Sequence, residues 1–321
     1  MNDQYHDFTL TRSPPKVTVS SCLLGENVRY DGHNKRNNII IGTLAENLDV
    51  LPVCPEMGIG LGVPRPPIQL VQYINKIRAV GVLDKSHDVT LQLEQYATRF
   101  LDRHPDLCGA ILTSKSPSCG LNSTKLYTQE GTLLNQQVSG IFVQKISDTH
   151  PGLPIVNDDN LVSTQSRVVF ILRVYAYARL MQAINAENSA VALYELHLCY
   201  FPLVLSMSET KTMMLDKIIR EIMIEFTQER LNRYRLLFGQ IMQLSIHRHH
   251  LADFVSMTIK QQMGMGNTGS MEPISDALQH YSKGQYEWSA LLASLEGITG
   301  NIDKRREKAF IAGHWLVPVT G

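Results

Sequence analysis

The sequence predicts an α/β domain with a mostly parallel sheet, followed by an all-α helical domain, and three observations carry that prediction. Up to about residue 163, short apolar runs alternate with helical patterns, as they do in βαβ units. From Gln165 to His250 the period is helical almost without interruption. The 321 residues are 44% hydrophobic and 19% charged, which is apolar enough for two cores and long for one. The expected division is 1–163 for the α/β domain and 164–321 for the helical one.

In chain order, Lys16-Val-Thr-Val-Ser20 is β-rich and runs into Ser21-Cys22. Asp49-Val-Leu-Pro-Val53 is a short apolar run ending at Cys54. A helical pattern occupies Thr90 to His104, with apolar residues three and four apart. Gly109-Ala-Ile-Leu-Thr113 is a third run, leading into Ser114-Lys-Ser-Pro-Ser-Cys-Gly120. A shorter helical stretch, Ser139 to Ile146, precedes a fourth run at Leu153-Pro-Ile-Val156. In the second half, Val168, Val169, Leu172, Tyr175, Ala176 and Leu180 trace one helical face. Met214, Leu215, Ile218, Ile219, Ile222 and Met223 trace another, and a Gly- and Ser-rich loop is expected at Gly264–Ser270.

Thirty basic and thirty acidic residues give zero net charge, which excludes the strongly basic field of many nucleic-acid binders but not a local patch. No stretch approaches eighteen uninterrupted apolar residues, so no membrane span is expected. Met1–Asp7 is polar and acidic, unlike a signal peptide, and a cytoplasmic location is the default expectation.

Five cysteines are present, and an odd number in a large chain of this kind argues against a disulfide framework. Three of them, Cys22, Cys54 and Cys119, stand at or just past the carboxyl ends of expected strands. In an open parallel sheet the loops beyond those ends form the ligand crevice. Three thiols 32 and 65 residues apart can therefore converge there. Three convergent thiolates suit a soft metal or an iron–sulfur cluster. The bland alternative is three small buried hydrophobes. Arg29, Tyr30, Asp31, Lys35, Arg36, Glu56, Arg65, Lys115, Ser116 and Ser118 crowd the same loops, more polarity than a structural corner needs. Cys108 and Cys199 read as core residues. Glu56 is either a general base or a surface carboxylate. Ser116 is either a donor to a developing charge or the cap of the Pro117 turn.

The segments SCLLGENVRYDG, PVCPEMGIGLGVPR and SKSPSCG resemble the motifs of the thiouracil desulfidase (TudS-like) family, in that family's order. The whole chain resembles its longer members, which add a YbgA-like helical domain. The resemblance implies a [4Fe-4S] cluster held by Cys22, Cys54 and Cys119, with one open iron site. It implies non-redox removal of sulfur from thiolated uracil, with thiouridine in tRNA (4-thiouridine to uridine) as substrate and residues 164–321 as a candidate tRNA-binding domain. Glu56 and Ser116 take the proton-transfer positions, and Ser21, Arg29, Asp31, Arg65, Lys115 and Ser118 the substrate-binding ones. Free thiouracil is the alternative substrate. A non-enzymatic protein whose cysteines hold zinc or nothing is the alternative class.

Three further motifs carry less. Gly264–Gly269 fits GxGxxG but follows a helix, the wrong context for a dinucleotide. His247-Arg-His-His250 and Lys304-Arg-Arg-Glu-Lys308 read as solvated faces, with phosphate contact as the minority reading. The helical part departs from the family's basic motif around His197, whereas Arg248-His249 and Tyr281-x-Lys283-Gly284 lie closer to it.

Overall fold

The computed structural model describes residues 14–44, 47–74, 76–263 and 271–299. Two compact units emerge, Lys16–Phe170 and a helical unit from Ile171 onward, and the division falls inside one helix, α4 (Thr164–Ile184).

The first unit is built on a four-stranded, all-parallel sheet of β1 (Lys16–Ser20), β2 (Asp49–Val53), β5 (Leu107–Leu112) and β8 (Ile155–Asn157), in the order β2-β1-β5-β8. The four apolar runs picked out in the sequence are the members of this sheet. β5 reads LCGAIL and is buried at every position, the continuous apolar run that a strand covered on both faces requires. Because β2 and β5 flank β1 on opposite sides, the chain reverses direction across the sheet between β1 and β5. That reversal is the switch point where such sheets place ligands. The register aligns the strand ends: Ser20 pairs with Val53, Val19 with Ile111, and Leu112 with Asn157. The loops leaving all four strands therefore start at nearly one level.

The sequence reading missed a second sheet. β3 (Ile68–Gln72), β4 (Ile77–Gly81), β6 (Thr124–Tyr127) and β7 (Leu133–Val138) form a mixed sheet in the order β4-β3-β6-β7, with only β3 and β6 parallel. Its hairpins turn at Tyr73–Lys76 and at Thr128–Thr132, where Gly131 takes φ +92°. Ile68, Leu70, Ala79 and Leu126 of this sheet pack with Leu93 of α2 (Thr90–Arg103) and Ile141 of α3 (Ile141–Thr149).

The helical unit continues α4 with α5 (Ser189–Met207), α6 (Glu209–Ile224), α7 (Gln228–Met242), α8 (Arg248–Met263), α9 (Met271–Ser282) and α10 (Trp288–Thr299). Side-chain caps start three of them: Asn188, Ser208 and Thr227 accept from the backbone amides of Val191, Lys211 and Arg230. Tyr200, Tyr234, Phe238, Phe254, Tyr281 and Trp288 are buried in this unit. The expected α4 face is buried throughout. On α6 the face is narrower than expected: Leu215, Ile218, Ile219 and Ile222 are buried, while Met214 and Met223 are exposed. α5 is long and apolar enough to cross a membrane, against the sequence expectation, yet it buries Leu193, Leu196, Tyr200, Leu203 and Val204 within this unit. Cys199, expected in the core, lies on its exposed side. The Gly264–Gly269 motif and the Lys304–Lys308 cluster lie outside the described residues.

Candidate active site

Each strand of the parallel sheet delivers one polar or thiol side chain to the same end. β1 runs into a 3-10 turn, Ser21–Leu24, that carries Cys22 and closes on Gly25 at φ +99°, where glycine is the unstrained residue. β2 ends at Cys54, which stands at the N-terminal boundary of the short helix α1 (Pro55–Gly58) with its thiol free of any capping bond; Pro55 takes the first helical position, where its missing N–H costs nothing. β5 leads through Thr113 and Ser114 to the turn carrying Cys119. That turn is pinned by α3: the Ile141 amide donates to the Pro117 carbonyl at 3.1 Å, and those of Phe142 and Val143 to the Ser118 carbonyl at 3.1 and 3.2 Å. β8 ends at Asp158, which is buried.

Cys22, Cys54 and Cys119 line one cleft of about 530 Å³. With them on its wall are Ser21, Arg29, Glu56, Arg65, Lys115, Ser116 and Ser118, so ten of the sequence candidates are brought together. Asp31 is not among the lining residues; it sits on an exposed turn, 3.6 Å from the Arg29 guanidinium. Thr113, Ser114 and Lys35 join the wall. Cys108 is buried inside β5, donates to the Asp106 carbonyl at 3.2 Å, and has its thiol pushed up to about 12 by burial.

Burial pushes all three cleft thiols above the ordinary range. For Cys22 a hydrogen-bond contact with Thr113, 3.0 Å from sulfur to Oγ1, opposes the rise, as does the charge of Arg29. For Cys54 the nearby Met57 amide opposes it, while the Glu56 charge adds to it. Cys119 is the most enclosed, and the neighbouring Cys54 and Glu56 add to the effect of burial. Without a cation these groups are neutral thiols; a bound cationic centre inverts that balance and makes them thiolate ligands. Among the described residues, no three His, Cys, Asp or Glu side chains gather closely enough for one metal ion. Three thiols on the wall of one cleft are a donor set whose chemistry fits an iron–sulfur cluster.

Glu56 is held at both oxygens. Oε2 accepts from Arg65 Nε at 2.9 Å and lies 2.8 Å from Nη2. Oε1 accepts from Ser118 Oγ at 2.7 Å. Arg65 is itself buried, and its remaining donors go to the carbonyls of Gly62 and Val28 at 2.8 and 3.0 Å. Its guanidinium is thus spent on the protein, bracing the Glu56 turn against the loop after Cys22. Ser116 Oγ accepts from the amides of Ser118 and Cys119 at 3.3 and 3.1 Å and contacts Ser118 Oγ at 3.1 Å. Since Ser118 gives its only hydroxyl proton to Glu56, Ser116 is the donor in the serine pair. A chain of hydroxyls therefore runs from Ser116 through Ser118 to a carboxylate. Ser116 is both a turn cap and a link in this chain.

Glycines make room for the arrangement. A Cβ on Gly58 would lie 2.1 Å from the Tyr96 ring, and one on Gly140 would lie 2.5 Å from the Ser118 carbonyl carbon. Lys115 takes φ +62°, a left-handed backbone uncommon outside glycine and strained for a long side chain, at the entrance to the Cys119 turn.

Residues 17–158 match the family model for 2-thiouracil desulfurase. A solved structure of a [4Fe-4S]-dependent thiouracil desulfidase, TudS, shares 30% sequence identity over 46% of this chain and 92% of that one, with a TM-score of 0.37. No curated protein matches.

Proposed function

Because the chain belongs to the 2-thiouracil desulfurase family through residues 17–158, we propose that it is a desulfidase that replaces the sulfur of a thiolated uracil by oxygen, with 4-thiouridine in tRNA as its substrate. The observation that carries the reading is the meeting of Cys22, Cys54 and Cys119 on one cleft beside the Glu56 carboxylate. Overall, water adds at the C=S carbon, a C–O bond forms, the C–S bond breaks, and hydrogen sulfide leaves. Electrons balance without an oxidant or reductant.

Cys22, Cys54 and Cys119 hold a [4Fe-4S] cluster in this reading, which the cofactor of the 30%-identical relative supports. When bound, it supplies an open iron that polarises the C=S bond as a Lewis acid. The chain's own residues supply the rest. Glu56, held by Arg65 and aimed by Ser118, accepts the proton of the attacking water. The Ser116–Ser118 pair donates toward the carboxylate's second oxygen and so fixes the direction in which Glu56 faces the cleft. Ser21, Arg29 and Lys115 contact the substrate. Asp31 positions Arg29 from outside the cleft.

A second reading takes free thiouracil as substrate. It is favoured by the extent of the match, which ends at residue 158 and includes none of the helical unit. Anaerobically reconstituted protein, assayed in parallel on thiolated tRNA and on free thiouracil at one salt concentration, separates the two. Turnover of tRNA well above that of the base supports the first; the reverse supports the second.

A further inference from the structure

Lys35 lies on the cleft wall, and the sequence motifs assign it nothing. Its backbone amide donates to the Cys22 carbonyl at 2.9 Å, which ties it to the Cys22 turn. Its ammonium lies 2.7 Å from Asp158 Oδ2 and donates to Ser114 Oγ at 3.3 Å. Asp158 is 5% exposed, and its other oxygen accepts from the Ser114 amide at 2.9 Å. The ends of β8 and β5 thus seat one cation beside the turn leaving β1. An ammonium has three donors, and these contacts use two. The Lys35 side chain lines the cleft and remains 41% exposed, and among the described residues no third contact holds its ammonium. Of the other cations on the wall, Arg65 is engaged on Glu56 and two carbonyls and Arg29 stands against Asp31, while Lys115, at the entrance to the Cys119 turn, shares neither the Asp158 nor the Ser114 contact that fixes Lys35.

On the desulfidase reading above, we infer that Lys35 is a further substrate-contacting residue, seated by Asp158 and Ser114, whose spare N–H donates to the carbonyl oxygen that a thiolated uracil keeps throughout the reaction. A compact ammonium suits a single carbonyl acceptor, whereas the guanidinium fork suits a carboxylate or a phosphate. That oxygen is present in substrate and in uracil alike. A contact to it fixes which edge of the ring meets the thiol-lined wall, and it is felt by the product as well.

The test uses reconstituted full-length protein and three readouts: sulfide release, iron content, and the inhibition constant of uracil. Lys35→Met should raise the uracil inhibition constant and lower kcat/KM by about 10- to 100-fold, the usual worth of a hydrogen bond from a charged donor, with iron content unchanged. Removing Lys35 alone leaves Asp158 buried without its partner, which can itself disturb the fold. The double variant Lys35→Met/Asp158→Asn removes both charges and should show the same weakened uracil binding with a wild-type melting curve. Uracil inhibition within twofold of wild type in either variant would overturn the inference. So would recovery of uracil binding in the double variant, which would make Lys35 only the counter-ion of Asp158. A wild-type protein that carries the cluster yet releases no sulfide from either substrate would remove the functional reading and this inference with it. Active wild type with an unaffected Lys35→Met removes the inference alone.

Discussion

Gly140→Ala tests the site without touching a thiol, a carboxylate or a hydroxyl. Gly140 has ordinary dihedrals, φ −64° and ψ 156°, so alanine brings no backbone strain. The added Cβ falls 2.5 Å from the Ser118 carbonyl carbon, 2.6 Å from its oxygen and 2.8 Å from the Pro117 oxygen. These are backbone atoms of the Cys119 turn, and the closest is about 1 Å short of ordinary contact. The turn must move by roughly that amount, because α3 is held by its packing, with Phe142 and Val143 fully buried. Overpacking of this kind costs about 1–3 kcal/mol. The larger effect falls on function: a displacement near 1 Å costs about 100-fold where positioning matters. The movement carries Ser118 off Glu56 and Cys119 away from the other thiols. The assay is iron per chain after anaerobic reconstitution, together with sulfide release. Gly42→Ala, where an added Cβ meets nothing within 4 Å, is the control and should match wild type. Wild-type iron content and turnover in Gly140→Ala would refute the claim that the Cys119 turn is built to a tolerance below 1 Å.

Cys22→Ala, Cys54→Ala and Cys119→Ala should each lose bound iron, read by absorbance and metal analysis, while Cys108→Ala and Cys199→Ala keep it. Glu56→Gln keeps the shape while turning one of the two accepting atoms into a donor, and should retain the cluster while turnover falls by about two to four orders of magnitude; Ser116→Ala should show a milder loss. His197 is 2% exposed, beside Tyr234 and with Nε2 3.5 Å from Asp216, and burial outweighs that carboxylate to hold it below the ordinary imidazole value. Its contribution to stability is therefore present above pH 6.5 and lost as pH falls through the folded-state value. In urea melts between pH 7.5 and 5, the helical unit should weaken with acid, and His197→Gln should lose part of that pH dependence; an identical pH profile in the variant would count against it.

The parallel sheet was legible because β1 and β5 are buried and apolar and β2 and β8 are short apolar runs, and its cysteines were legible because each stands at or within a few residues of the end of such a run. The mixed sheet was not. β7 reads LLNQQV and is exposed or half-exposed along its length, so no apolar alternation marks it. The Gln129-Glu-Gly131 turn beside it was a hairpin signal that could have been used. Asp158 escaped notice because its role depends on Lys35 and Ser114, residues far from it in sequence whose approach only the sheet order creates. Arg65 and Ser118 were expected at the substrate; the structure sets both on the cleft wall, where they also hold the two oxygens of Glu56, a role only the fold reveals. Asp31 followed a conspicuous Arg-Tyr-Asp-Gly run, but the Asp31–His33 turn leaves it outside the cleft.

The central claim is that three thiols of one cleft hold the centre at which a thiolated uracil loses its sulfur. The most direct measurement is sulfide released per uracil-containing product formed, followed against iron content during anaerobic reconstitution of the wild-type protein. One sulfide per product, no requirement for an added electron donor, and a rate that rises in proportion to cluster loaded are the expected results. Full turnover in protein free of iron, or a fully loaded protein that releases no sulfide from thiolated tRNA or thiouracil, would contradict that claim.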